Sequence, residues 1–296
     1  MRGFKLSKLL SDYLKETFGC KVYKIALNGG FTCPNRDGKI DTGGCIFCSA
    51  GGSGEFAGNP AVSVTEQIEA GKQLVAKKIK DGKYIAYFQA YTGTYGPVEK
   101  LRSLFTEAMD HPDVVAISVA TRPDCLPEDV LDLLQELNKK KPVWVELGLQ
   151  TIHERSASYI RRGYDLSVYD AAVNALQQRG IETIVHVILG LPGESVEDML
   201  ASVRYVCDSG VQGIKLQLLH VLEGTDLATD YAAGKFEVMT EDAYLDLLKK
   251  CLAIIPEHVV IHRLTGDGDK KILIAPQWSA NKRHVWNRIQ KEIIFR

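Results

Sequence analysis

The chain has 296 residues, of which 45% are apolar and 25% charged, with a formal net charge of −1. That balance suits one large or two small globular domains and excludes collagen-like, low-complexity and disordered classes. No run of about 18 uncharged apolar residues exists, which leaves out a membrane-spanning helix. The N-terminus MRGFKLSKLLSDYLKE has charges among its apolar positions and no long apolar core, so it does not read as a signal peptide. Seven unevenly spaced cysteines point to a reducing cytosol and hence a cytoplasmic protein, where clustered cysteines bind metal or do chemistry. Residues 1–24 carry six Lys/Arg against two Asp/Glu and residues 257–296 carry eight against four, so the body between them is acidic. Basic ends on an acidic body suit a polyanion-binding surface; solvated termini give the same pattern.

Along the chain, a strand-like apolar run is followed repeatedly by a helical pattern. The runs are KVYKIAL (21–27), YIAYFQA (84–90), VVAISVA (114–120), VWVELGL (143–149), TIVHVILG (183–190) and GIKLQLLHV (213–221). Between and after them, Val64–Lys80, Pro97–Met109, Pro127–Lys140, Ser167–Arg179, Ser195–Ser209 and Glu241–Ile254 have the spacing of amphipathic helices. Pro97 and Pro127 stand where helices start, Gly180 and Gly210 where they end. Strict alternation implies a parallel sheet with helices outside it, either doubly wound or a full or partial barrel.

Side-chain parity separates these options, because strand residues alternate between faces. In the fourth run Val143, Val145, Leu147 and Leu149 share one face, and Trp144, Glu146, Gly148 and Gln150 the other. Ala116, Ser118, Ala120 and Arg122 oppose Val115, Ile117 and Val119. Lys215 and Gln217 pair in the same way, as do Tyr87 and Gln89. Strands covered on both faces should be apolar on both. A recurrent polar face fits an open barrel whose interior is a binding cavity, or else a mutually satisfied ion-pair network in a packed core.

The segment FTCPNRDGKIDTGGCIFCSAGGSGEF follows the first strand and sets Cys33, Cys45 and Cys48 at C-x11-C-x2-C spacing. Thiolates favour zinc or iron–sulfur. The next Cys is Cys125 and the next His is His111, so no fourth ligand stands near, and an open coordination position belongs to a working centre rather than a structural one. Gly43, Gly44, Gly51, Gly52 and Gly54 bracket the ligands and let the backbone wrap a bulky centre. A zinc loop with a distant fourth ligand is the other reading.

From about residue 20 to 256 the chain resembles the radical S-adenosylmethionine (radical SAM) superfamily. The superfamily's commonest triad has a shorter first gap. The wider gap here is similar to that of the radical SAM subunit of Elongator, a tRNA wobble-uridine enzyme, and of its short bacterial relatives, the YhcC/YtqA (MnmL-type) group. CPNRDG, GGCIFC, VELGLQT, HVILGLPGE and HRLTGDGD carry this closer match. No acetyltransferase-like domain is expected to follow.

The resemblance implies an α/β fold, a partial (β/α)6 barrel of TIM type with a short C-terminal extension. Its divisions would be a basic helix over 1–20, the barrel over 21–256 and a possible RNA-binding element over 257–296. Cys33, Cys45 and Cys48 would hold a 4Fe–4S cluster whose open iron binds S-adenosylmethionine and releases a 5′-deoxyadenosyl radical. Phe47 would lie near the adenine. Gln89 and Thr92 stand in place of the family's Gly-Gly-Glu motif, which this chain lacks. Ser118, Glu146 and Gln150 would be cofactor contacts, Arg162 would pair with the methionine carboxylate, and Lys215 and Gln217 would face substrate or ribose. The Gly190–Glu194 segment resembles the family's adenine-side turn. His186 reads as a satisfied core histidine, Asp267 and Asp269 as a solvated turn, and Cys20, Cys125, Cys207 and Cys251 receive no role. Lys282, Arg283, Arg288 and Lys291 beside Trp278 and Trp286 suit RNA, as they would a helix docked on the barrel. The expected activity is conversion of 5-carboxymethylaminomethyluridine towards 5-aminomethyluridine in tRNA, with tRNA and a flavodoxin- or ferredoxin-type electron donor as partners and no membrane. A small-molecule substrate and a non-catalytic zinc adaptor are the alternatives.

Overall fold

The computed structural model describes residues 7–52, 54–79, 82–266 and 268–294. Lys80, the expected end of one helix, and Asp267 lie outside the described residues, as do the ends of both basic segments. Helix α1 (Leu10–Phe18) precedes strand β1 (Val22–Leu27). There follow α2 (Val64–Val75), β2 (Lys83–Phe88), α3 (Val98–Asp110), β3 (Val114–Thr121), α4 (Glu128–Asn138), β4 (Val143–Gln150), the short α5 (Glu154–Tyr159), α6 (Leu166–Gln178), β5 (Glu182–Leu189), α7 (Val196–Asp208) and β6 (Gly213–Leu218). The C-terminal part holds β7 (Val221–Leu222), α8 (Asp226–Ala232), α9 (Glu241–Ile254), β8 (Val260–Arg263), β9 (Leu273–Ala275) and α10 (Lys282–Ile289).

Seven strands form one parallel sheet in the order β1-β2-β3-β4-β5-β6-β8. β1 and β8 remain at its edges, so the barrel is partial, and α1 packs against both. The expected six units are present, and β8 adds a seventh strand from the segment read as an extension. It runs for four residues, Val-Ile-His-Arg, too short and too polar at its end to stand out by pattern. Leu9 bridges to Ile261, which donates its N–H to Lys8 O at 2.9 Å.

Local signals place the helices. Ser63 and Ser195 each make a capping box, with Glu66 and Asp198. Pro97 and Pro127 are N-caps, while Gly180 and Gly210 take left-handed φ of 65° and 79° after α6 and α7. The outward strand face, including Ile117, Val145, Leu147, Val185, Val187 and Leu216, packs under the helices as the main core.

The inward face is layered, as barrel interiors are. At the bottom, Leu14 of α1 meets Val22, Ile85, Ala116, Trp144 and Ile184 in an apolar plug. One residue pair further along each strand comes a charged layer of Lys24, Tyr87, Ser118, Glu146, His186 and Lys215. Above it, at the strand C-termini, a cavity opens.

Candidate active site

The cavity measures about 230 Å³ and is rimmed by the loop after β1. That loop is tied down by its own sequence. Cys33 O accepts from Arg36 N at 2.8 Å and Asp37 N at 3.1 Å, turning the chain after Pro34. Arg36 Nη2 donates back to Cys48 O at 3.0 Å and Ser49 O at 2.6 Å. Asn35 Nδ2 donates to Arg161 O at 2.7 Å and to Cys45 Sγ at 3.5 Å. Gly44, at φ 75°, donates to Asn35 O at 2.7 Å. The CPNRDG stretch thus clamps the segment that carries the second and third thiols.

Cys33, Cys45 and Cys48 all line the cavity. Cys45 and Cys48 interact through their side chains, and that contact and burial push the Cys45 thiol well above its usual range. A bound metal reverses such a shift, since it takes thiolates. Among the described residues, no three His, Cys, Asp or Glu converge as a single ion would need. Zinc, with Zn–S bonds of about 2.3 Å, asks for sulfurs under ~4 Å apart. Three thiols lining one cavity, with no fourth His or Cys ligand converging on them among the described residues, suit an iron–sulfur centre with an open position better than a closed four-ligand zinc site.

Beside the thiol loop stands Arg162, 2% exposed, whose O accepts from Asn35 Nδ2 at 3.4 Å. Its Nε donates to Tyr164 O at 3.0 Å and Nη1 to Thr151 O at 2.7 Å. Its Nη2 has no hydrogen-bond partner and lies 3.8 Å from Glu154 Oε2. A guanidinium held on two sides with a third donor unspent fits an incoming carboxylate. Gln150 sits at φ 67° beyond a register break in β4, and a Cβ on Gly148 would stand 2.7 Å from its Nε2. Tyr91 and Arg161 also hold positive φ, 58° and 56°. Tyr91 and Gln150 line the cavity and Arg161 precedes the lining Arg162, so left-handed non-glycine backbone accompanies the site.

Phe47, Gln89, Thr92, Glu146, Gln150, Arg162 and Gln217 line the cavity. Ser118 and Lys215 are not among the lining residues: they share the layer of Glu146 and donate to its carboxylate. Glu146 itself is saturated. Oε1 accepts from Lys24 Nζ at 2.5 Å and Ser118 Oγ at 2.7 Å, and Oε2 from His186 Nε2 at 2.8 Å and from Lys215 Nζ. Gln217 Nε2 donates to His186 Nδ1 at 2.9 Å, which leaves the His186 proton on Nε2. The internal network that parity left open is what surrounds Glu146. Burial would raise its carboxyl, but Lys215, Lys24 and His186 hold it well below the usual range. Burial draws Lys215 down to about 7 against the pull of Glu146, and burial with the Lys215 charge draws His186 down to about 4.

Sequence reasoning missed Lys24, whose signal was present: it alternates with Tyr23 and Ile25 on the inward face, as Lys215 does on its strand. Arg263 and His220 also line the cavity. Arg263 was hidden because β8 was not expected. His220 is gripped by the HRLTGDGD turn: a Cβ on Gly266 or Gly268 would come within 2.4 or 2.5 Å of its ring, and Gly268 N donates to its Nδ1 at 3.1 Å.

A sequence model of the Radical SAM superfamily matches residues 32–206, and one of the Radical_SAM C-terminal domain matches residues 211–294. The chain belongs to the radical SAM superfamily and is an enzyme of that class, whose members use a 4Fe–4S cluster and S-adenosylmethionine. It is 50% identical over 284 residues to the uncharacterized protein YtqA of Bacillus subtilis, covering 96% of this chain and 88% of that one. It is 38% identical over 279 residues to the protein YhcC of Escherichia coli K12, covering 94% and 89%. A tRNA uridine(34) acetyltransferase of Methanocaldococcus infernus is 25% identical over 163 residues, covering 54% of this chain and 30% of that protein. Among solved structures, Elp3 of Methanocaldococcus infernus with an N-terminal deletion superimposes with a TM-score of 0.69 at 18% identity, over 92% of this chain and 63% of that one. Streptococcus suis SuiB bound to S-adenosylmethionine gives 0.55 at 11% identity, over 88% and 54%. These two likenesses concern the fold. Among the described residues, no helix is long and apolar enough to cross a membrane.

Proposed function

We propose that this chain is a radical SAM enzyme that modifies tRNA at the C5 side chain of the wobble uridine, taking carboxymethylaminomethyl to aminomethyl. Loss of a hydrogen atom and then an electron from the N-bound CH2 of the carboxymethyl group gives an imine, water releases the two-carbon group as glyoxylate, and S-adenosylmethionine is the net two-electron oxidant. The observation that carries the radical SAM part is that Cys33, Cys45 and Cys48 line one cavity together with Arg162, whose Nη2 has no hydrogen-bond partner. The tRNA part is supported by the similarity to a tRNA uridine(34) acetyltransferase.

In this reading the three cysteines hold the cluster, and Asn35 and Arg36 keep their loop in shape. Arg162 orients the methionine carboxylate. Phe47, Gln89, Thr92 and Gln150 border the cofactor, with Phe47 on the adenine side. Glu146, both of whose oxygens are engaged, anchors His186 and Gln217 at the floor, where Gln217 meets the substrate side. When bound, the cluster and S-adenosylmethionine, fed one electron by a flavodoxin- or ferredoxin-type donor, supply a 5′-deoxyadenosyl radical for hydrogen abstraction from the substrate. The chain's contribution is to hold these groups and exclude water at the barrel mouth.

The test is nucleoside mass spectrometry of tRNA from a deletion strain complemented with wild type or Cys45→Ala. The expected result is build-up of the carboxymethylaminomethyl nucleoside in the deletion and in the variant, and loss of the iron–sulfur absorption from the anaerobically purified variant. An unchanged tRNA profile removes tRNA as substrate while leaving the enzyme class in place. A colourless wild-type protein holding zinc removes the radical chemistry.

A further inference from the structure

The structure divides the C-terminal basic and aromatic residues into two sets. One set docks the helix. Trp278 Nε1 donates to Met239 O at 2.9 Å, and its ring lies 5.7 Å from that of Tyr244. Arg288 pairs with Asp242 at 2.8 Å and Glu292 at 2.7 Å, and His284 pairs with Glu241 at 3.2 Å. Val285 and Ile289 are buried. The other set, Lys282, Arg283 and Trp286, faces outward. Lys282 and Trp286 are one turn apart on the same side of α10.

Next to the start of α10 stands Phe56, in the loop that follows the third cysteine. Its neighbour Glu55 lines the cavity, and Lys282 Nζ lies 5.1 Å from the Phe56 ring centroid. Gly266 lines both the main cavity and the small cleft that holds Lys282 and Trp278. The start of α10 and the loop at Phe56 therefore meet at the mouth. Phe56 is 48% exposed and Trp286 39% exposed. Among the described residues they are the only exposed Phe, Tyr or Trp. An exposed ring that Lys282 meets, a second exposed ring one turn along α10 from that lysine, and Arg283 next to it ask for a ligand with flat apolar faces and negative charge.

We infer that Phe56 and Trp286 form a stacking platform for unpaired bases of a single-stranded RNA loop, with Lys282 and Arg283 on its phosphates. This rests on the tRNA reading above and deepens it. A uridine inside a paired stem is out of reach of a cavity within a barrel, so the reacting nucleotide must leave its stack. Its neighbours then lose a stacking partner, and aromatic side chains restore one without regard to base identity. Lys282 lies where a phosphate between two such bases would pass.

The test uses the full chain, an anticodon stem–loop RNA and a fully paired hairpin of equal length. The variants are Phe56→Leu and Trp286→Leu. Expected is tighter binding of the stem–loop than of the paired hairpin by wild type, a loss of about tenfold in stem–loop affinity for each variant, and little change for the hairpin. Thermal midpoint and iron content after reconstitution should match wild type, which separates lost contact from lost fold. Quenching of Trp286 fluorescence on stem–loop binding should be absent with the hairpin. Equal affinity of wild type and folded variants for the stem–loop overturns the platform and leaves the tRNA reading standing, as does equal affinity of wild type for loop and hairpin. Absence of any RNA binding by wild type at low salt overturns the tRNA reading itself.

Discussion

Glu146 gathers donors from four different strands: Lys24 on β1, Ser118 on β3, His186 on β5 and Lys215 on β6. A single carboxylate therefore answers two ammoniums, Lys215 buried and Lys24 partly exposed. Glu146→Gln keeps the shape and removes the charge, so both lysines are left facing a neutral amide. Loss of one partner from a buried pair costs about 3–5 kcal/mol, and chemical denaturation should show a fall of that size. Adding Lys215→Met to Glu146→Gln should recover part of it, because the stranded charge is gone. A destabilisation under ~1 kcal/mol for the single variant would mean that water reaches this layer and screens it.

His186 gives the same network a pH signature. Burial and the Lys215 charge hold its pKa near 4, against 6.5 for the free side chain. Between those values the unfolded chain takes up a proton that the folded chain refuses. Stability rises with pH wherever the unfolded state binds more protons, so it should fall as pH drops from 6.5 towards 4. Thermal unfolding over that range should show a declining midpoint, with a shallower decline in His186→Gln. The His186 imidazole resonances should stay in the neutral position until pH nears 4.

At the scale of elements, the sheet's last strand belongs to the segment read as an extension. β8 pairs with β6 through Gly213↔Val260 and Ile214↔Ile261, and Leu9 covers it from the other side. Removing residues 257–294 would expose the whole edge of β6, together with the apolar face that Val259 and Ile261 now seal. Unpaired, apolar strand edges recruit other chains. A chain ending at residue 256 should accumulate as aggregate, and light scattering of the refolded protein should grow with concentration. A monomeric, cooperatively unfolding truncation would mark the segment as an appendage instead.

Over the whole molecule, the division between what was legible and what was not follows the range of each interaction. Alternation along a strand and 3.6-residue spacing along a helix are local. The six main strands, the helices between them and the inward placement of Glu146, Gln150, Lys215 and Gln217 were therefore open to reading from residues 143–150 and 213–218 alone. The cysteine spacing likewise marked a candidate metal loop, whose three thiols line one cavity. Parity assigns a residue to a face, yet its partner is set by register between strands far apart in the chain. Ser118 and Lys215 faced inward as expected, but both are spent on Glu146 and do not line the cavity. The contact of Lys24 with Glu146 spans 122 residues of sequence, and no pattern within either strand encodes it. The same holds for Arg263 and for the meeting of Phe56 with Lys282. The amino-acid sequence by itself determined the periodicities, the thiol spacing and the caps, because these depend on neighbours a turn or a strand away. Only the tertiary structure decided which charges share one carboxylate, which guanidinium nitrogen lacks a hydrogen-bond partner, and which ring Lys282 meets, because closing the sheet is what brings those distant positions within reach.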